Sequence, residues 1–482
     1  MQLKDNSLLK QQCYIGGEWR DAFSGETIPV YNPATGEIIA YVPKMCRPEA
    51  ELAIDAADNA FKTWKKTPNR ERARILKQWQ ALIIANQDDL AKILCLEQGK
   101  PFPEARKEIL HGANYIEWFA EEAKRINGDI IPAHSDDKRA LVTKEPIGVC
   151  AALTPWNFPN SMITRKTSPA LAAGCTFVIR PASQTPLSAL ALAELAHRAG
   201  LPAGVFNVIT GTHDIGDVFT TSPVVRKFSF TGSTAVGSQL MARCAGTIKK
   251  VSLELGGNAP FIVFDDADMD AAIVGVLANK FRNAGQTCVC ANRIYVQSGI
   301  YDTFIDKLTV AVKALKVGHG FEEGVVVGPL IDQAAVHKVQ EHIQDALDKG
   351  AKLVLGGQQH ALGGLFFEPT ILSDVTQEMK VAKEETFGPL APIFKFDTEE
   401  EVIDYANATI YGLAAYFFSR DLSRVFRVSE ALEYGMVGAN TGTLSNEFAP
   451  FGGIKQSGIG REGSKYGIDE YLEIKYTLLA GL

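Results

Sequence analysis

With 482 residues, 46% of them hydrophobic and 22% charged, the chain has the composition of a soluble globular protein with a large core. Length gives a prior of about three domains at ~150 residues each. A net charge of −7 with scattered lysines and arginines leaves no basic footprint, which argues against nucleic acid as a partner.

The first ten residues lack the basic-then-apolar pattern of a secretion signal, so a cytoplasmic location is expected. Residues 48–125 are rich in Ala, Leu, Glu and Lys, with apolar positions recurring at three and four. They predict helices punctuated at Gly99-Lys100-Pro101. Residues 128–145 read as a polar hairpin, with Ile130-Ile131 on one side and 140–143 on the other. Short apolar strands follow at 148–153, 177–179, 205–209, 227–230 and 249–253, with helices at 186–199 and 235–243. The longest apolar stretch, 169–179, is too short to span a bilayer, so no membrane partner is expected. A second alternating set begins after Asn258, with helices near 268–283, 299–314, 333–349 and 398–407. The tail 471–479 is strand-like. This alternation predicts an α/β protein with two doubly wound domains and ligands at the strand ends. The hairpin and the tail fit inside neither domain. They invite pairing with another subunit, with an ordinary surface hairpin as the alternative.

Several segments carry chemistry. The loop Thr154-Pro155-Trp156-Asn157-Phe158-Pro159 is stiffened by two prolines, which would fix an Asn157 amide at a strand end. Such an amide can stabilise an oxyanion, or simply cap the next helix. Arg180-Pro181-Ala182-Ser183 ends another strand with a cation and a hydroxyl; a solvated strand terminus is the plainer reading. No Gly-x-Gly-x-x-Gly follows a strand, but Thr231-Gly232-Ser233 enters a helix with backbone N–H groups suited to phosphate. Gly-Ser is also a common helix entry. Glu254, in Leu253-Glu254-Leu255-Gly256-Gly257, puts one carboxylate on a short apolar strand. Cys288 follows Gly285-Gln286-Thr287, with Arg282 six residues upstream. A thiol and a nearby carboxylate can form an acyl intermediate and release it with water. The eight cysteines include no Cys-x-x-Cys and the eight histidines no His-x-x-x-His, so no metal is expected.

Five motifs stand in the order seen in the aldehyde dehydrogenase superfamily: Thr-Pro-Trp-Asn-Phe-Pro, Phe-Thr-Gly-Ser, Leu-Glu-Leu-Gly-Gly, Gly-Gln-Thr-Cys and Glu-Glu-Thr-Phe-Gly-Pro (384–389). The chain resembles that superfamily from about Tyr14 to its C-terminus. Within it, 162–166, 281–290, 450–453 and 461–467 resemble the succinate-semialdehyde dehydrogenases. The resemblance implies a cofactor-binding domain at 1–126 and 146–254, a catalytic domain at 255–458, and a small β oligomerisation arm at 127–145 and 459–482. A homodimer or homotetramer is implied with it. It implies Cys288 as nucleophile, Asn157 and the Cys288 N–H as oxyanion donors, and Glu254 as the base for hydrolysis. By the same resemblance Thr154, Pro155, Trp156, Arg180, Ser183, Gly232, Ser233, Leu255, Glu385 and Phe387 contact a nicotinamide dinucleotide, with Glu385 on a ribose. Lys166 sits at a lysine position associated with the active site.

Two departures bear on the cofactor. Arg180 stands where the family has lysine, and Ser183 stands where NAD-preferring members often have glutamate. Without that glutamate a 2′-phosphate is not repelled, so NADP+ is the expected cofactor, with some use of NAD+. Arg165, Arg282 and Ser445 would clamp the far carboxylate of a semialdehyde, because a guanidinium takes a carboxylate bidentately. A structural salt bridge is the alternative for Arg282. The expected reaction is oxidation of succinic semialdehyde to succinate. Glutaric semialdehyde, one methylene longer, differs by only ~1–3 kcal/mol in a pocket. A broader aldehyde dehydrogenase and a catalytically silent homologue are the remaining alternatives; Cys288, Glu254, Asn157 and Glu385 together argue against the last. Cys290 lies two residues from Cys288. A disulfide there would be strained but would block the nucleophile reversibly, as a redox switch requires; a spectator thiol is the other reading.

Overall fold

The computed structural model describes residues 2–482. Strands whose two faces are both covered by helices must be apolar throughout, and this is how the central segments read. Ala259–Val263 and Ala414–Phe418 are buried at every position, and Val149–Leu153 at four of five.

One sheet has eight strands. Its five central strands are parallel, in the order Lys250–Glu254, Val225–Thr231, Val149–Leu153, Thr176–Arg180 and Phe206–Val208. Antiparallel strands close both edges. Gly458–Ile459 pairs with Leu253 and Glu254, and Cys13–Ile15 leads to Glu18–Arg20 on the other side. The second sheet has seven strands, parallel except for Lys352–Leu355 at one edge. The fold is therefore α/β with two wound sheets, each packed into its own core. The short edge strand 458–459 returns the chain from the C-terminal region to the sheet that carries Glu254.

The expected hairpin and tail form a third unit. Leu472–Ala480 runs antiparallel to Lys138–Pro146 over nine register pairs, and Asp129–Ile131 completes a small three-stranded β arm. Its apolar side chains point outward: Ile130 is 77% exposed, Ile474 73% and Tyr476 60%.

The predicted helical run 48–125 resolves into Arg47–Trp64, Asn69–Ala85, Gln87–Gln98 and Phe102–Glu122. The break at Gly99 is a left-handed cap with φ 90°. Helix Phe102–Glu122 packs against Ser161–Ala173, all thirteen residues of which are buried. Gly112 permits the contact, because a Cβ there would lie 2.6 Å from Asn160 Oδ1. That close approach brings two distant parts of the chain to one cavity. The predicted helix 268–283 is shorter than its composition suggests. It spans Met269–Lys280 and gives way to a left-handed run that shapes the site below.

Candidate active site

Three successive residues, Asn283 (φ 51°), Ala284 (φ 54°) and Gly285 (φ 76°), adopt left-handed backbone. Glycine is needed at 285, since a Cβ there would lie 2.1 Å from the Gly388 carbonyl oxygen. Side chains from elsewhere hold the two non-glycine residues in place. The Asn283 N–H donates to Glu104 Oε2 (3.1 Å), and its Nδ2 donates to the Asn157 carbonyl (3.1 Å). Gln286 Nε2 donates to the Asn283 carbonyl (3.0 Å), while its Oε1 accepts from the Ile331 N–H (2.9 Å). A turn closed by Cys290 N–H on the Thr287 carbonyl (3.1 Å) then presents Cys288.

Cys288 borders two cavities. One, of about 250 Å³, gathers Pro155, Trp156, Asn157, Gly232, Ser233, Glu254, Leu255, Glu385 and Phe387, with Lys338 added. The other, of about 240 Å³, gathers Arg165, Arg282 and Ser445 with Glu104, His111, Phe158, Met162 and Phe451. The residues singled out for cofactor and for substrate thus separate onto opposite sides of one thiol. Thr154, Arg180 and Ser183 do not line the first cavity. Thr154 is buried at the strand end and its N–H donates to the Arg180 carbonyl (3.2 Å). Arg180 Nη2 donates to the Gly211 carbonyl (2.8 Å) and to Ser183 Oγ (3.3 Å), so the pair stands together beside that strand end.

Burial governs the ionisation of these groups. It pushes the Cys288 thiol up to about 12; the Glu385 and Glu254 carboxylates push the same way, and Arg165 and Arg282 oppose them. Burial and the Glu462 charge hold Glu254 well above the usual carboxylate range, and its Oε2 has no hydrogen-bond partner. Burial lifts Glu385 to about 7, while a hydrogen bond from the Gly257 N–H (3.2 Å) opposes the rise. Asn157 Nδ2 donates one hydrogen to the Gln286 carbonyl (3.0 Å). An amide nitrogen carries two, so the second is left for a ligand.

The second cavity is prepared for an anion. Arg165 is 3% exposed, and its Nε and Nη2 find no hydrogen-bond acceptor; neither does Arg282 Nε. Arg165 Nε lies 3.0 Å from Glu462 Oε2, close in charge but off the line of a hydrogen bond. The salt-bridge alternative for Arg282 has no partner among the described residues within 4.0 Å. His111 is held down at about 4 by burial and then by the two arginines, so it adds a neutral polar group 3.5 Å from Ser445 Oγ. Lys166 lines neither cavity. Its Nζ donates to Glu462 Oε1 at 2.5 Å.

The first cavity suits a dinucleotide. Thr231 Oγ1 and Glu254 Oε2 are buried polar atoms without partners at its wall. A Cβ at Gly256 would sit 3.1 Å from Glu385 Oε2, so this glycine keeps the floor open. Ser233 lines this cavity and caps the helix Thr234–Cys244, its Oγ accepting from the Val236 N–H.

Both Cys288 and Cys290 are free thiols. Cys290 is 1% exposed and lines neither cavity; its Sγ lies 3.7 Å from the Lys280 carbonyl. Sequence reading did not find Glu104, His111, Lys338 or Glu462 as site residues. The first two lie on a helix that ends 166 residues before Cys288 (288 − 122), with nothing local to mark them.

The chain matches the aldehyde dehydrogenase family over residues 19–477. It is 64% identical over 483 residues to the 3-sulfolactaldehyde dehydrogenase of Pseudomonas putida, covering 100% of this chain and 99% of that protein. It is equally 64% identical, over 483 residues and 100% of both chains, to the glutarate-semialdehyde dehydrogenase of Pseudomonas aeruginosa. The same identity over 480 residues, 99% of this chain and 100% of the other, relates it to the NADP(+) succinate-semialdehyde dehydrogenase GabD of Escherichia coli. With its family motifs gathered around one thiol and the match running nearly end to end, the chain belongs to the aldehyde dehydrogenase family.

Proposed function

We propose that this enzyme oxidises succinic semialdehyde to succinate with NADP+ as preferred cofactor and NAD+ as a weaker one. The observation that carries the reading is the position of Cys288 in the wall between a cavity lined by Trp156, Ser233, Glu385 and Phe387 and one holding the buried Arg165 and the half-buried Arg282, both short of acceptors. In this scheme the bound dinucleotide supplies the hydride acceptor from the Glu385 side. The Cys288 thiol gives up its proton to solvent and its sulfur adds to the aldehyde carbon, the carbonyl electron pair moving to oxygen to make a thiohemiacetal anion. The free Asn157 N–H and the Cys288 backbone N–H take the oxyanion. Loss of hydride from the former aldehyde carbon leaves a thioester on Cys288. Glu254 then removes a proton from water as its oxygen attacks that carbonyl, and the sulfur departs as thiol with the acid. Burial makes the Glu254 carboxylate more basic than an exposed one, which suits it to take a proton from water.

The far carboxylate lies between Arg165 and Arg282, with Ser445 donating. Each charged hydrogen bond there contributes about 1.5–3 kcal/mol, and an uncharged aldehyde leaves the free N–H groups of Arg165 and Arg282 without an acceptor. The Arg180–Ser183 pair, with no carboxylate at 183, supports acceptance of a 2′-phosphate. The outward apolar side chains of the β arm support assembly as a homodimer or homotetramer.

Relatives of equal identity carry names for succinic, glutaric and sulfonated aldehydes, and all three substrates pair an aldehyde with a far anion. The anion therefore defines the class, and chain length is the finer question. The deciding experiment measures initial rates of reduced-nicotinamide formation with succinic semialdehyde, glutaric semialdehyde, 3-sulfolactaldehyde and an uncharged four-carbon aldehyde, each with NAD+ and NADP+. The highest kcat/KM is expected for succinic semialdehyde with NADP+. Equal rates for the uncharged aldehyde would remove the clamp and the substrate assignment with it.

A further inference from the structure

Arg165 is gripped on three sides by two segments distant in sequence. Phe451 and Glu462 face one another in an antiparallel bridge: Phe451 N–H donates to the Glu462 carbonyl (2.8 Å), and Glu462 N–H to the Phe451 carbonyl (2.7 Å). This one bridge delivers two contacts to the same guanidinium. The Phe451 ring centre lies 4.0 Å from Arg165 Cζ, and Glu462 Oε2 lies 3.0 Å from Nε. The Tyr115 ring stands 5.1 Å away as a third contact. The other Glu462 oxygen is held by Lys166 at 2.5 Å. Arg165, Lys166 and Glu462 are 3%, 1% and 8% exposed, so water does little to loosen the arrangement.

A guanidinium is a planar fork, and its use as an anion receptor depends on which edge faces the ligand. With aromatic rings against the plane and a carboxylate near Nε, rotation about the last side-chain bonds is restricted. Neither Nη nitrogen donates to a protein acceptor, so that end of the fork is the one left over.

We propose that Glu462 is a positioning residue for the anion clamp: through Arg165 it sets the enzyme's preference for aldehydes that carry a far negative charge. The inference rests on the assignment of the Arg165 cavity to the substrate anion. Glu462 touches no substrate in this scheme. Its negative charge would by itself disfavour an anion nearby, so the inference states that ordering Arg165 outweighs that repulsion.

The test is the full-length Glu462→Gln variant, its folding checked by thermal unfolding, assayed with succinic semialdehyde and with an uncharged four-carbon aldehyde. KM for the anionic aldehyde should rise about ten-fold while KM for the uncharged one stays within about two-fold. The inhibition constant of succinate, which needs no turnover, should rise in parallel with the anionic KM. In an Arg165→Ala background the same substitution should alter the anionic-to-uncharged ratio of kcat/KM by less than about two-fold. An unchanged or tighter anionic KM, a KM rise equal for both aldehydes, or an undiminished effect in the Arg165→Ala background would each overturn the inference. Glu462→Asp, which keeps the charge but withdraws it, gives the same comparison should the glutamine variant not fold, with a smaller shift in the same direction. Wild type without preference for the anion would remove the substrate assignment itself. Wild type with that preference, retained in Glu462→Gln, would remove only the role of Glu462.

Discussion

The side-chain amide of Asn157 donates to the main-chain carbonyl of Gln286 at 3.0 Å, tying the proposed oxyanion donor to the loop that presents Cys288. The tie is reciprocal, since the Asn157 carbonyl accepts from Asn283 Nδ2 on that same loop. Donor and thiol therefore keep their spacing even though they come from different sheets. Asn157→Ala should reduce kcat by about 10²–10³, the range for loss of one preorganised oxyanion donor. Dinucleotide affinity, measured by fluorescence quenching, should change little. A loss of affinity without loss of kcat would place Asn157 on the cofactor instead.

Cys288, lifted to about 12, is almost wholly protonated at neutral pH in the free enzyme. The thiolate is the species that alkylates, so the rate of Cys288 modification by iodoacetamide without cofactor should rise about ten-fold per pH unit from 7 to 10, with no plateau. Stopped sampling with peptide mass analysis follows it directly. A plateau below pH 8 would mean that the thiol is activated before any ligand binds. Cys288→Ala should abolish turnover while retaining the dinucleotide.

Much of this site could be read from the chain, and the unreadable part has an identifiable cause. Glu254 ends and Asn157 follows a short apolar strand, and in a wound sheet strand ends converge on ligands, whereas Cys288 stands before the strand Ala291–Gln297 and is marked by its Gly-Gln-Thr-Cys motif alone. The β/α rhythm was legible because strands such as 149–153 are apolar at successive positions while the helices between them are not. The end of the helix at Lys280 was not legible. Asn283 tolerates left-handed backbone better than most residues and is held there by Glu104, Asn157 and Gln286, but Ala284 carries no local signal for it. Nor does a local pattern mark His111 or Glu462, whose positions follow from helix packing at Gly112 and from the Phe451–Glu462 bridge.

Glu385, raised to about 7, titrates within the working range. In the proposed scheme a ribose hydroxyl donates to the ionised carboxylate, and the ionised fraction falls as pH drops through 7. Cofactor KM should therefore rise between pH 8 and pH 6, by about three- to ten-fold if the carboxylate form is the binding form. The same titration with Glu385→Gln should be flat. A wild-type profile as flat as the variant's would show that Glu385 does not hold the ribose as a carboxylate.

Lys100 is fully buried and bridges two parts of the site. Its Nζ donates to Glu108 Oε2 (2.6 Å) and to the Asn157 carbonyl (2.7 Å). Glu108 Oε1 in turn accepts from the Asn160 and Ser161 N–H groups at 3.0 and 3.2 Å. Lys100→Met leaves an uncompensated buried carboxylate and should destabilise the fold by about 3–5 kcal/mol. Urea unfolding should show the shift, and adding Glu108→Gln should recover part of it. If the double variant were no more stable than the single one, the penalty would come from lost packing and not from the stranded charge.

Cys290 tests whether proximity in sequence amounts to redox partnership. Its thiol faces the Lys280 carbonyl from a buried position, and the turn at 287–290 would have to open for its sulfur to reach Cys288. A buried thiol away from cations is inert by comparison with one at a cavity wall. Peroxide should therefore inactivate wild type and Cys290→Ala at equal rates, and a thiol reductant should restore both to the same extent. Recovery confined to wild type, with a Cys288–Cys290 disulfide in the peptide digest, would instead establish the pair as a reversible switch.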